Sequence, residues 1–206
     1  GWTRNLPDKN FISNKSSDSF SESFRFVLPG YNVRPLEMSG AIGIEQLKKL
    51  DNIVVARQQV ANQLTQGLDG LLGLQTPVVM SDCTHAYYVY PLVLDIDNLP
   101  VSRDIIHEAL KAEGVPISKG YQNIHLLPMY QQKMAYGSKG FPWSSDICKR
   151  DVDYSKGICP VAEDLHFNRQ LGLGICGLEL SIADVDLIIE AFRKVWSSFS
   201  ELKTDA

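Results

Sequence analysis

A small mixed α/β fold, with helices packed on a short sheet, is what this 206-residue chain predicts. Three observations carry that prediction. Apolar residues recur at three-four spacing in several stretches, one run at residues 85–95 is dense in aromatic and β-branched side chains, and Gly and Pro punctuate the chain between them. The resulting order, α, α, β, α, β, loop, α, β, α, describes a sheet too small to stand without its helices.

Residues 1–30 carry little periodicity, and the serine-rich stretch 13–23 has the composition of a solvated loop. Pro29-Gly30 then breaks the chain, and Pro35 suits a first helical turn, opening a helix over residues 36–47. Its apolar residues, among them Leu36, Met38, Ile42, Ile44 and Leu47, lie on almost every side, so it is expected to bury several faces in a larger core or a subunit interface. Asp51 is the expected N-cap of a second helix, whose stripe of Ile53, Arg57, Val60, Ala61, Leu64 and Leu68 ends at Gly70 and Gly73. The strand at 85–95 follows, with Pro91 implying an edge or a bulge.

Ser102 caps a third helix that turns Ile105, Ile106, Ala109 and Leu110 inward and stops at Gly114, and residues 115–118 form a short strand. Residues 121–159 are irregular and rich in Gly, Pro, Tyr and Trp. Loops of this length are functional or disordered, and the aromatic content argues against disorder. Pro160 opens a short helix through Leu165, and residues 171–180 supply a strand. Ser181 with an acid at Asp184 is a capping box ahead of a last helix with a stripe at 182, 185, 188, 189, 192, 195, 196 and 199.

Composition excludes several classes. With 44% apolar and 21% charged residues the chain is neither disordered nor fibrous. A net charge of −4 without a basic run leaves no footprint for nucleic acid. Apolar runs such as Ile53-Val54-Val55-Ala56 fall far short of the ~20 residues that cross a bilayer. Cysteines 83, 148, 159 and 176 match neither a zinc pattern nor a dense disulfide scaffold, so buried free thiols in a reducing, cytoplasmic setting are expected. No phosphate-binding glycine loop, nucleophile elbow or H-E-x-x-H is present; Gly172-Leu173-Gly174-Ile175-Cys176-Gly177 lacks the third spacer of a dinucleotide fingerprint. Histidines 85, 107, 125 and 166 are scattered, which favours structural roles over a metal site, and His107 is expected to face solvent from its helix.

The segment Gly30-Tyr31-Asn32-Val33-Arg34, followed by Gly40-Ala41-Ile42-Gly43 and Gln46-Leu47, resembles the G-Y-N-x-R segment of the DegT/DnrJ/StrS family, PLP-dependent sugar aminotransferases of aspartate-aminotransferase fold type I. Gly1-Trp2-Thr3-Arg4-Asn5-Leu6, the strand from Tyr87 to Asp95, and Cys159-Pro160-Val161-Ala162-Glu163 with Asp184 to Ala191 agree in order, so the resemblance spans the chain. It implies the C-terminal small domain of a fold type I PLP-dependent transferase, a small mixed or antiparallel sheet packed with helices. Residues 1–30 would trail from a large domain, 31–70 would form interface and interdomain helices, and 71–206 the small domain.

The resemblance also implies site residues. Asn32 would donate its amide to the pyridoxal phosphate of a partner subunit in a homodimer; its alternative is a turn asparagine bonding its own backbone. Arg34 offers a fork to a carboxylate or phosphate, or else an ion pair to Glu37. His125 and Tyr130, in an H-x-x-P-x-Y-like loop, would contact substrate, and Phe141-Pro142-Trp143 would wall it or simply pin the loop. Lys119 is a phosphate contact or a solvated lysine.

No catalytic residue and no metal ligand is assigned within this chain. In the family a Schiff-base lysine anchors the cofactor and shuttles the proton, and it comes from the N-terminal large domain. None of the twelve lysines here stands in that context. The implied function is a C-terminal part of an aminotransferase that moves an amino group from glutamate or glutamine to a keto sugar nucleotide, inactive alone. Two alternatives stand beside it, a PLP-dependent sugar 3-dehydrase, in which histidine replaces that lysine, and a non-catalytic dimerisation or sugar-binding module.

Overall fold

In the computed structural model, residues 33–137, 139–146, 148–175 and 179–202 are described. The chain divides into two units, 1–49 and 50–206. In the first, α1 (Glu37–Leu47) begins after an extended Leu36, and none of its residues is buried. Leu36, Met38, Ile42, Ile44 and Leu47 are all exposed.

The second unit is built on an antiparallel sheet of four strands, β1 (Leu74–Gln75), β2 (Tyr90–Leu94), β3 (Ile117–Lys119) and β4 (Gln170–Leu173), in the order β1-β2-β4-β3. Three long helices pack with it, α2 (Leu50–Leu68), α3 (Arg103–Ala112) and α6 (Ile182–Ser197). Ala61, Leu64 and Leu68 from α2, Ile106 and Leu110 from α3, and Val185, Phe192 and Val195 from α6 meet Tyr90, Leu92, Leu94, Leu171 and Leu173 in one core. Two of the three predicted caps form. Ser102 Oγ accepts the Ile105 N–H, and Ser181 and Asp184 close a reciprocal capping box.

Several element ends differ from the sequence expectation, each for a local reason. Asp51 is not the N-cap of α2, which starts at Leu50 and places Asp51 inside its first turn, where an acid suits the helix dipole. The strand expected at 85–95 begins only at Tyr90, because the Tyr87 N–H donates to His85 Nδ1 at 2.9 Å and Tyr87 takes a left-handed φ of 50°. Pro91 is tolerated because β1 pairs only with Val93 and Leu94, leaving Pro91 with a neighbour on the β4 side alone. The strand at 115–118 shifts to Ile117–Lys119, since the Val115 N–H is held by Leu110 O at the end of α3. The two-residue β1 was not visible in the sequence at all. His107 does not face solvent; it is buried on α3, with Nδ1 at 2.9 Å from Glu108. The free thiols are not uniformly buried either, since Cys83 is exposed and Cys148 and Cys159 are half-buried.

Helix α5 (Pro160–Asp164) ends a residue short of Leu165 and widens into a π-turn over Leu165–Arg169 that runs straight into β4. The Arg103 guanidinium donates to His166 O at 2.6 Å, and Asp164 accepts from Asn168 and Arg169, so the turn's loosened backbone is tied on both sides. Gly120, at φ +65°, lies so close to His166 that a Cβ there would overlap its ring and its carbonyl. This junction fixes α5, and hence Glu163, to the sheet. The strand expected at 171–180 is correspondingly short and starts one residue earlier, at Gln170.

Candidate functional site

The segment 121–159 is less irregular than its composition suggests. A 3-10 turn at Ile124–Leu126 carries His125, and a single helical turn, α4 (Pro128–Gln131), opened by its proline, carries Tyr130. Little apolar burial holds this region: among the described residues from 121 to 159, Asn123 alone is buried. The holding is done by hydrogen bonds and rings.

Glu163 is the main anchor. Its side chain is buried, and its carboxylate accepts the Gly157 N–H on both oxygens at 2.8 and 2.9 Å, the Cys159 N–H at 3.3 Å and a bond from His125 Nε2 at 2.9 Å. The Gly157 N–H beside it holds the Glu163 carboxyl below the usual carboxylate range; burial opposes this, and His125 and the Cys159 N–H add to it. A carboxylate accepts only, so the Nε2 of His125 is the donor. Gln131 is the second anchor. Its side-chain amide donates to His125 O at 2.7 Å and to Tyr154 O, joining the two ends of the loop.

Aromatic rings complete the structure. Tyr130 and Tyr154 lie 5.3 Å apart between centroids, Trp143 meets both edge-on, and the Trp143 Nε1–H donates to the Tyr154 hydroxyl at 3.1 Å. Phe141 lies outside this cluster, against Tyr136. Tyr121, Ile124, His125, Tyr130, Tyr154 and Cys159 wall a cavity of about 540 Å³, with Asn123 in its wall and the Nδ2 of Asn123 buried without a partner.

The sequence-predicted residues divide accordingly. His125 and Tyr130 come together on this cavity. Asn32 lies outside the described residues, and Arg34 is exposed ahead of α1 in the 1–49 unit. Lys119 makes an ion pair with Asp104 at 3.2 Å. Glu163, Gln131, Tyr154 and Asn123 were not singled out as site residues, although Glu163 stands in the Cys159-Pro160-Val161-Ala162-Glu163 segment that carried the resemblance.

The profile of the DegT/DnrJ/EryC1/StrS aminotransferase family matches residues 8–157, well over half of the sequence. The chain belongs to that family. The spore coat polysaccharide biosynthesis protein SpsC of Bacillus subtilis is 30% identical over 183 residues, 88% of this chain and 42% of SpsC. The GDP-4-keto-6-deoxy-D-mannose 3-dehydratase of Escherichia coli O55:H7 is 69% identical over 62 residues, 30% of this chain and 16% of the enzyme. A solved E. coli GDP-4-keto-6-deoxy-D-mannose-3-dehydratase with bound hydrated PLP superimposes with a TM-score of 0.57 at 33% identity, covering 93% of this chain and 44% of that one. The chain therefore spans less than half the length of the relatives it matches. The fold is that of fold type I PLP enzymes on their small-domain side, and pyridoxal phosphate is the cofactor of full-length relatives.

Among the described residues, no Lys or Arg lines the cavity beside His125, so it offers an anionic group no cationic side chain. Flat rings beside an imidazole and an amide suit the uncharged, hydroxyl-bearing part of a ligand. Among the described residues no helix is long and apolar enough to cross a membrane.

Proposed function

We propose that this chain forms the small-domain side of a PLP-dependent enzyme that acts on a keto sugar nucleotide, with glutamate or glutamine as amino donor. The observation that carries the reading is the cavity of Tyr121, Tyr130 and Tyr154 beside a His125 held by a buried carboxylate, on a chain of this family. Tyrosine faces take the C–H side of a sugar ring, and His125 takes one of its hydroxyls. Charged parts of the ligands are met elsewhere, Arg34 binding a phosphate or carboxylate and Asn32 the cofactor phosphate of the partner subunit in a cytoplasmic homodimer. Residues 31–70 supply the subunit contact in this reading, residues 1–30 trail from a large domain, and 71–206 form the small domain.

None of the twelve lysines here stands in a Schiff-base context, so the chain by itself does not transaminate. Pyridoxal phosphate added to the purified chain is expected to give no stoichiometric lysine adduct after borohydride reduction. A single lysine labelled at one equivalent would overturn that statement.

The reaction has two readings. Transamination is the one the family's description carries. Dehydration at C3 is favoured by the 69% identical stretch shared with a 3-dehydratase, against 30% for the longer match to SpsC. Sequencing the gene on the 5′ side of the Gly1 codon separates them: a lysine at the Schiff-base position supports amino transfer, and a histidine there supports loss of the C3 hydroxyl.

A further inference from the structure

The His125 ring has two nitrogens, and the structure uses only one of them. Nε2 is taken by Glu163 at 2.9 Å, while Nδ1 makes no hydrogen bond among the described residues and is not a buried orphan, on a ring that lines the cavity. Glu163 is itself over-determined. Three backbone contacts from Gly157 and Cys159 orient its carboxylate independently of His125, and α5 is continuous through the π-turn with β4. The carboxylate is therefore a fixed reference against which the imidazole is set. Gln131, which holds the backbone carbonyl of His125, fixes the other end of the same residue.

We propose that Glu163 is a positioning residue, which fixes His125 in the Nε2–H tautomer and leaves Nδ1 as a hydrogen-bond acceptor facing the cavity. This rests on the reading of the cavity as a sugar site. It adds which hydrogen the site reads, since an acceptor at Nδ1 takes the O–H of a ligand hydroxyl. The physical basis is that a carboxylate cannot donate, so the nitrogen it faces carries a proton, and in the neutral imidazole the second nitrogen is then a lone pair. One acid does two jobs, tying residues 157–159 to α5 and setting the chemistry of a side chain 38 positions earlier.

The test needs no ligand. Long-range ¹⁵N–¹H correlation spectra of the intact chain at neutral pH assign the tautomer of each histidine. His125 is expected to show a protonated Nε2, with its proton protected from exchange with water, and a pyridine-type Nδ1. In Glu163→Gln, where one amide oxygen must serve both the Gly157 N–H and the imidazole, the protected Nε2–H signal is expected to be lost, with His85 and His107 unchanged. A His125 in the Nδ1–H tautomer in the wild-type chain overturns the proposal. So does a folded Glu163→Gln chain whose His125 spectrum is unaltered. Should that variant not fold, the wild-type tautomer and the exchange rate of its Nε2–H decide alone, since a freely exchanging proton contradicts the anchor. Failure of a sugar nucleotide to bind would count against the sugar site and leave the tautomer result standing.

Discussion

Phe192, Leu92 and Leu171 sit wholly buried in a core shared by α2, α3, α6 and the sheet, whereas from residue 121 to 159 the one described buried residue is the polar Asn123. The core is held by non-directional apolar burial, which tolerates small shifts and is worth about 25 cal/mol per Å² removed from water. The loop beside it is held by directional bonds to Glu163 and Gln131 and by three rings, Tyr130, Trp143 and Tyr154. Directional bonds fix positions without filling space, and so they leave a cavity. A binding wall is best made this way, with rigid residues around a space that packing has not closed.

This contrast predicts that core and loop respond to different changes. The largest effect is expected from Phe192→Ala, which empties the middle of the core and should cost about 3–5 kcal/mol in denaturant unfolding. An effect confined to the loop would mean that the core is not one body. Next comes Gly120→Ala at the junction of the two regions, where a positive φ and overlap with His166 combine to cost about 2 kcal/mol. A neutral result there would break the account of how α5 is fixed to the sheet.

Tyr154→Phe keeps the ring and removes only the hydroxyl that accepts the Trp143 Nε1–H, so a loss of about 1 kcal/mol is expected. It should appear in hydrogen exchange of the loop amides rather than in the midpoint of global unfolding. The mildest change is acidification. Because the folded Glu163 carboxyl lies below its unfolded range, its contribution is complete above the ordinary glutamate value of about 4.3 and is lost as pH falls through the lower folded value. The Gly157 and Cys159 amide resonances should therefore step at a pH below that of a free glutamate; a step at or above it would contradict the anchor.

The same contrast explains what could be read from the sequence. Helices α3 and α6 were legible because Ser102 and Ser181 cap them and their stripes face a core that rewards periodicity. Helix α1 was legible as a helix, and its lack of a polar face appears as a surface with no buried residue. Strand ends were not legible, because one backbone bond, Tyr87 N–H to His85, decides where β2 begins. At the candidate site, His125 and Tyr130, singled out through the resemblance of their H-x-x-P-x-Y-like loop, line one cavity. Glu163 and Tyr154 were missed because their roles come from contacts across 38 and 24 positions, which no local spacing encodes. His107 was misplaced because α3 turns it inward beside Arg103, another buried polar residue.

The central claim is that the ring-walled cavity beside His125 receives the sugar part of a sugar nucleotide. Titrating the ¹⁵N,¹³C-labelled chain with GDP-mannose tests it directly. The account predicts saturable shifts at Tyr121, His125, Tyr130 and Tyr154, abolished by His125→Ala with Tyr130→Ala. Shifts confined to the separate 490 Å³ cavity at Leu99, Pro100 and Phe167, or no saturable shift at the four named residues, would contradict it.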